Sequence, residues 1–459
     1  MSSPFLIRPR IQPPLDFDFR PSILARQAFL NAATVPVQIA LVQSSGSIFH
    51  QSFRVLPHSH SRAAEDNLYF TERWLKSLLW HFGGNYIAWN GPAELAAALQ
   101  NHYNVNARGR FDAETIANKI YSRPLEIVPT STLPLPKGST TPLGRHWEGC
   151  RIGFDLGGSD RKVAAVQDGE VVYSDEVVWD PYFQCDPQYH FDGIMDSLHR
   201  AARHLPHVHS IGGSAAGVYV DNRVRVASLF RGVPVQLFES RCRELFYEVQ
   251  RAWNNVPISI VNDGDVTALA GSMALGKNRV YGLAMGTSTA GGYVDEEGNI
   301  TSRLSEPAFA PVDYQPNAPR EEWSGDIGVG AQYFSQQAVG RLAKLAGIEL
   351  SSDMPLPEKL KRVQALMAQE DERARKIYES IGVYLGYALA DYSDLYEIDH
   401  VLLLGRVTSG PGGSILMEKA REVLSLEFPD LASRLQLHMP DEKEKRHGQA
   451  RAAASLPKL

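Results

Sequence analysis

Ile152, Phe154 and Leu156 alternate with Gly153 and Asp155, the two-residue period of a β-strand. Gly157 and Gly158 allow a tight turn, and an apolar run resumes at 163–166. Residues 152–166 therefore read as strand, turn, strand, and Glu170–Val178 adds a third strand. Residues 258–270 (ISIVNDGDVTALA) read as a buried-type strand with a helix directly after it. Residues 280–300 repeat the first shape: a strand to Met285, a turn at Gly286, Thr287 and Ser288, a strand from Gly291, and a second turn at 297–299. Helical periodicity marks 191–205, through Phe191, Ile194, Met195, Leu198 and Ala202, and a further helix is expected over 237–253. Ile377, Ile381, Leu385 and Leu389 sit four apart on another, with Gly382 and Gly386 leaving room for a close neighbour. Residues 401–404 form a buried strand ending in Gly405, a turn follows at 409–413, and a helix runs from Ile415. Short strands at Val218–Val220 and 224–226 flank Asp221-Asn222, and 447–455 is a helix of small residues. This order predicts an α/β domain with a mixed sheet.

The first 145 residues read as a folded α/β extension. Residues 1 to about 30, rich in Pro and Arg, predict an extended arm. Strands are expected at 35–43 and 48–56, helices at 65–82, after Pro92 and at 112–121, and a short apolar run at 86–89. Pro129, Pro134, Pro136 and Pro142 mark 127–149 as a linker or crossing segment.

Composition narrows the possibilities. At 459 residues the chain is long enough for two or three domains, and its 44% hydrophobic and 21% charged content is that of a globular protein. A net charge of −6 gives no basic footprint for nucleic acid or a membrane surface. No dense basic helix and no helix–turn–helix pair stands out in the extension. The three cysteines, Cys150, Cys185 and Cys242, lack metal-type spacing and point to a reducing cytoplasm. Neither a signal-peptide core nor a run of 18 apolar residues is present. His58 and His60, like His204, His207 and His209, read as ordinary solvated side chains.

Candidate chemistry lies at the turns. Residues 157–162 combine bare backbone N–H groups, the Ser159 hydroxyl, the Arg161 and Lys162 cations and, just upstream, the Asp155 carboxylate. That set suits phosphate and Mg²⁺, although an ordinary Gly-Gly hairpin has the same outline. Asn262, Asp263 and Asp265 stand where a strand meets a helix, the place where α/β sheets bind ligands, and more carboxylate than one helix cap requires. The two Gly-and-hydroxyl turns, if opposed, would clasp a chain of phosphates from both sides.

In this order the pieces resemble sugar kinases of the actin–hexokinase–Hsp70 superfamily, most closely the ROK family (repressors, open reading frames and kinases). DLGGS is similar to a first phosphate motif DxGGT, VNDGD to a catalytic ND stretch, GTSTAGG to a second phosphate motif GTGxGGG, LLLGRV to an adenosine motif and HGQARAAA to a closing helix. The resemblance covers about two-thirds of the chain, from roughly Gly149 onward. It implies a two-lobed actin-like ATPase (ribonuclease H-like) fold, with a first lobe at 146–261 rejoined by 440–459, a second lobe at 262–439, and the extension at 1–145. It also implies ATP-dependent phosphoryl transfer to a sugar hydroxyl. Asp263 would be the general base, with Asn262, Ser214 and Glu306 beside it at the sugar. Gly157, Gly158, Ser159, Lys162, Gly286, Thr287 and Ser288 would face the phosphates, Gly405 would line the adenosine site, and Asp155 would hold Mg²⁺ directly or through water. A small-molecule sugar, ATP and a second copy of the chain are the implied partners.

The sequence departs from that pattern at the sugar end. Phe309 stands where a zinc-binding His belongs, and Ser324, Asp326 and Val329 stand where cysteines belong. Zinc requires N or S ligands, so no structural zinc is expected and ordinary packing must hold this loop. The segment VASLFRGVP also lacks an expected Asn near Ser228. The alternative to a kinase is a non-catalytic ROK-type sugar-sensing regulator; a third reading is a degenerate scaffold.

Overall fold

The structure, a computed structural model, describes residues 3–138, 143–439 and 442–459, without the side chains of 442–447. Pro142, residue 440 and the His447 side chain lie outside the described residues. Three main sheets organise the chain. In the extension, β1 (Val35–Val42), β2 (Ile48–Val55), β3 (Tyr86–Asn90) and β4 (Glu126–Pro129) pair in the order β2-β1-β3-β4. The second sheet contains β5 (Cys150–Leu156), β6 (Asp160–Gln167), β7 (Glu170–Val178), β8 (Ser210–Ala215) and, after the small ribbon of β9 (Val218–Val220) and β10 (Arg223–Val226), β11 (Ile258–Asn262); its order is β11-β8-β5-β6-β7. The third is β13-β12-β14-β15, from β12 (Val280–Met285), β13 (Thr289–Val294), β14 (His400–Leu404) and β15 (Gln436–His438).

The second and third sheets share a plan. In each, an antiparallel hairpin with a Gly-rich turn (β5–β6, β12–β13) lies beside parallel strands (β8 and β11, or β14). Parallel strands end at the same edge. Register sets Asp155 against Ser214, Ser214 against Val261, and Ala284 against Leu404. The turn after β5 therefore shares an edge with the Asn262-Asp263 junction, and the turn after β12 shares one with Gly405. These are the strand ends where α/β sheets place ligands. The terminal helix, Glu442–Ala454, lies directly on the second sheet, where a Cβ on Gly153 or Gly212 would overlap the Ala450 or Ala453 carbonyl.

The extension is not a body apart. One hydrophobic core runs from Ile39, Leu78 and Trp80 into Tyr281, Phe309 and Tyr396 of the third sheet's lobe, whereas the second sheet has its own core around Phe154 and Phe246. The arm at 1–30 is extended at first, as expected, and crosses that lobe: Arg10 N–H donates to Glu427, Ile11 N–H to Tyr387 and Leu15 N–H to Ser380. It then departs from expectation by forming the helix Ser22–Ala32, which buries Ile23, Ala25 and Phe29.

Other differences have local causes. Residues 127–129, expected in a linker, belong to β4 because β3 offers a free edge. The expected helix over 237–253 is broken into Val235–Ser240, a 3-10 turn at Cys242–Glu244 and Leu245–Ala252; the bend buries Cys242, Leu245 and Phe246. The helix Pro411–Glu427 starts at its proline, four residues earlier than expected. The Gln336–Leu345 and Leu356–Met367 helices were not anticipated.

Candidate active site

The first turn is partly closed on itself. Gly157 N–H donates to Asp160 O at 3.0 Å, leaving Gly158 and Ser159 as the backbone donors without a partner among the described residues. Ser159 Oγ donates to Asp160, and Lys162 Nζ lies 2.8 Å from Asp160 and 3.7 Å from Asp155. In the second turn Gly286 N–H donates to Ser288 O at 2.9 Å, with Thr287 and Ser288 exposed. The lobes meet electrostatically here, since Arg406, next to Gly405, is one of the charges that hold Asp160 below the usual carboxylate range. Gly405 has φ +94° and packs against the Met285 carbonyl, so backbone geometry alone demands glycine there.

Asp155 is buried, and its Oδ1 accepts a 2.6 Å hydrogen bond from Ser214. Ser214 is fully buried, so in this arrangement it holds Asp155. Burial raises the Asp155 pKa against the opposing pull of Ser214 and Lys162. Asn262 caps the helix Asp263–Leu275: its Oδ1 accepts from Gly264 N–H at 2.6 Å and its Nδ2 donates to Gly217 O at 2.7 Å. Capping and ligand-side placement coexist, because Asn262 also lines a cavity.

Two cavities adjoin this junction. The larger, about 370 Å³, is lined by Asn262, Asp265, Arg303 and Glu306 on one side and by Gln43, Ser45, Ser47 and Tyr121 of the extension on the other. The smaller, about 290 Å³, is lined by Ala270, Ala284, Leu402, Leu404 and Gly405, and by Asp263. Asp263 thus faces an apolar chamber while its neighbours Asn262 and Asp265 face a polar one.

Four carboxyl groups share one field here. Burial, then Asp155, pushes Asp263 up to about 6. Burial, then Asp263 and Asp265, pushes Glu306 up to about 8. Asp265 is raised well above its ordinary value by burial, against a backbone hydrogen bond from Tyr293. Burial thus raises Asp263, Asp265 and Glu306 together, with Glu306 at about 8 lying above Asp263 at about 6, the kind of separation that general acid–base chemistry uses.

The loop expected to rely on ordinary packing is held by ions as well. Asp326 is fully buried; Arg73 Nη2 and Lys76 Nζ each lie 2.8 Å from its Oδ2. Lys76 also reaches Asp112 at 2.7 Å, Trp80 Nε1 donates to Asp112 at 2.9 Å, and Arg73 pairs with Glu72 at 2.7 Å. Burial opposes every charge in the cluster, yet Lys76 and Arg73 hold the Asp326 carboxyl well below the usual range. Phe309 packs on Trp80, 4.6 Å between ring centres, and on Phe111 and Trp323. Sequence reasoning missed Lys76, Arg73, Gln43 and Ser47; charged residues inside an otherwise apolar stretch at 70–82 were the available signal.

Among the described residues one metal-type cluster occurs, Cys150 with His207 and His209. Cys150 N–H donates to His209 Nδ1 at 2.9 Å, and His207 Nε2 lies 2.8 Å from His209 Nε2. That tautomer leaves the proton on His209 Nε2, the atom a metal would need, so the cluster fits zinc poorly. His58 pairs with Glu94 at the surface, and His204 stacks on Tyr173.

No family model matches the chain, and no curated protein does. Solved structures do. The chain is similar to a ROK hexokinase from Thermus thermophilus (TM-score 0.53, 19% identity, 66% of this chain and 96% of that one). It is also similar to a ROK family transcriptional regulator, a homologue of the E. coli MLC protein (TM-score 0.51, 16% identity, 67% of this chain and 77% of that one). The fold is therefore the two-lobed actin-like ATPase fold of ROK proteins, with the extension added. No helix among the described residues is long and apolar enough to cross a membrane.

Proposed function

We propose that the protein is an ATP-dependent kinase that phosphorylates a hydroxyl of a sugar or sugar-like polyol. The observation that supports this best is the position of Asp263. It borders an apolar chamber suited to a nucleotide base while its neighbours Asn262 and Asp265 line a polar chamber suited to a hydroxylated acceptor, and the first phosphate turn opens at the same edge of the second sheet. Phosphoryl transfer depends chiefly on positioning and charge neutralisation. Asp263 accepts the acceptor proton, and Asn262 and protonated Glu306 orient hydroxyl groups. The Gly158 and Ser159 N–H groups, Lys162, Gly286, Thr287 and Ser288 bind phosphate oxygens, and Gly405 borders the base. Asp155 fits a Mg²⁺ role, because Ser214 engages Oδ1 and, among the described residues, Oδ2 keeps only the 3.7 Å contact with Lys162. When bound, Mg²⁺ supplies charge neutralisation for the β- and γ-phosphates.

The structural likeness to a hexokinase and to a regulator alike keeps a second reading, a sugar-responsive regulator without catalysis. The discriminating experiment is ADP release against a panel of hexoses, amino sugars and polyols. Turnover with one of them supports the kinase. Sugar binding without turnover, with sugar-dependent DNA binding, supports the regulator. The unpaired cysteines accord with a cytoplasmic protein, and we place a homodimer among the proposals that sedimentation tests.

A further inference from the structure

The last turn of the helix Ala63–Phe82 does an unusual job. An α-helix leaves its last four carbonyls without intrahelical partners. Here Leu79 O accepts from Gly83 N–H, but Trp80 O accepts from Glu306 N–H at 2.9 Å and His81 O from Ser305 N–H at 3.0 Å. Phe82 O accepts from Gln43 Nε2 at 2.6 Å. The backbone of the segment that carries Glu306 is thus docked on the end of an extension helix more than 200 residues earlier in the chain. Ser305, just before Glu306, has φ +53°, a conformation that persists in a non-glycine residue only when its surroundings impose it.

The β1–β2 turn adds a second grip. Gln43 Nε2 donates to Ser302 O at 2.8 Å as well as to Phe82 O, so one side chain ties the helix end to the acceptor segment. Ser47 Oγ meets Ser302 Oγ at 2.7 Å. Gln43 Oε1 accepts from Ser45 Oγ at 2.8 Å, and both Nε2 protons are engaged, so Gln43 acts through Ser302.

We infer that the extension completes the acceptor site: Gln43 and Ser47 are positioning residues that, with the end of the Ala63–Phe82 helix, hold Glu306 against the acceptor. This rests on the kinase reading for its catalytic consequence. The geometric consequence, a pre-shaped sugar chamber, does not depend on catalysis.

The test compares unsubstituted protein with Gln43→Ala and Ser47→Ala. ADP release and calorimetric affinity without nucleotide are both measured, with D-glucose, N-acetyl-D-glucosamine and D-mannitol as probes. Losing hydrogen bonds that fix one segment is expected to raise the acceptor KM and Kd about tenfold in Gln43→Ala and about threefold in Ser47→Ala. The KM for ATP should stay within about twofold, because neither residue borders the phosphate turns. An unchanged acceptor KM and Kd overturns the inference. So does an equal rise in both KM values, which indicates general loosening. Sugar binding without ADP release removes the kinase reading, and the affinities then decide the inference by themselves. Neither turnover nor binding with any probe overturns both.

Discussion

Replacing Lys76 by methionine should destabilise the protein severely. Lys76 is completely buried, and its ammonium lies 2.7 and 2.9 Å from the two Asp112 oxygens and 2.8 Å from Asp326. At those distances and an effective dielectric near 20, each ion contact is worth about 6 kcal/mol of Coulomb attraction. Much of that is offset by the desolvation that burying the ammonium costs. Breaking one partner out of a buried cluster typically costs ~3–5 kcal/mol, because an uncompensated charge is left behind. Here Lys76→Met leaves Asp112 without a cation and Asp326 with Arg73 and the peripheral Arg108. Against a total stability of roughly 5–15 kcal/mol the loss is large. Adding Asp112→Asn removes the stranded charge while keeping an oxygen for Trp80 Nε1. The double variant should therefore regain about half the loss, a non-additivity readable as a coupling energy. Urea unfolding followed by tryptophan fluorescence measures Lys76→Met, Asp112→Asn alone and the double variant. A cost below about 1 kcal/mol for Lys76→Met, or strict additivity in the double variant, refutes the claim that this cluster clamps the 307–330 loop to the extension.

Four further outcomes are expected. Asp263→Asn should lower kcat by about 10² or more, as loss of a general base does, with an unchanged far-ultraviolet circular dichroism spectrum; substantial activity in a well-folded variant removes Asp263 from that role. The pH–rate profile should be bell-shaped: activity rises through about 6 as Asp263 ionises and falls above about 8 as Glu306 loses its proton, and Glu306→Gln should abolish the alkaline limb. Both carboxyls are raised by burial, so their contribution to folding stability is fully present in acid and is lost as pH rises through those values; a profile flat from pH 5 to 9 contradicts the assignment. Gly212→Ala should unseat the terminal helix, since its Cβ would overlap the Ala453 backbone, and cost at least the ~1–3 kcal/mol typical of overpacking; a neutral melting temperature opposes that packing. Elemental analysis should find no stoichiometric zinc, and one zinc per chain would contradict the poor fit of the Cys150–His209 cluster.

The lessons of the sequence are uneven. Gly157-Gly158, Gly286-Thr287-Ser288 and Asn262-Asp263 were legible because each is local: the strand period, the glycines and the helix start lie within a few residues of one another. The first turn shares a sheet edge with the Asn262-Asp263 junction, and the second turn shares one with Gly405 in the other sheet. The 63–82 region misled for the opposite reason. Periodicity there pointed only to a helix over 65–82, yet every residue from Phe70 to Phe82 is buried. The helix is sandwiched between the extension sheet and the lobe carrying β12, so its charged face meets Asp326 rather than water.

The sequence by itself determined the turns, the strand–helix junction that presents Asp263, and the glycines that let backbones approach. All of these are set by short-range sterics and periodicity. Only the tertiary structure decided the surroundings of Glu306 and Asp326. There Glu306 depends on Trp80, His81 and Gln43, and Asp326 on Arg73 and Lys76, across more than 200 residues of chain. No local pattern encodes such pairings. A buried charge is tolerated only where folding delivers its partner, and which partner arrives is a property of the packed whole.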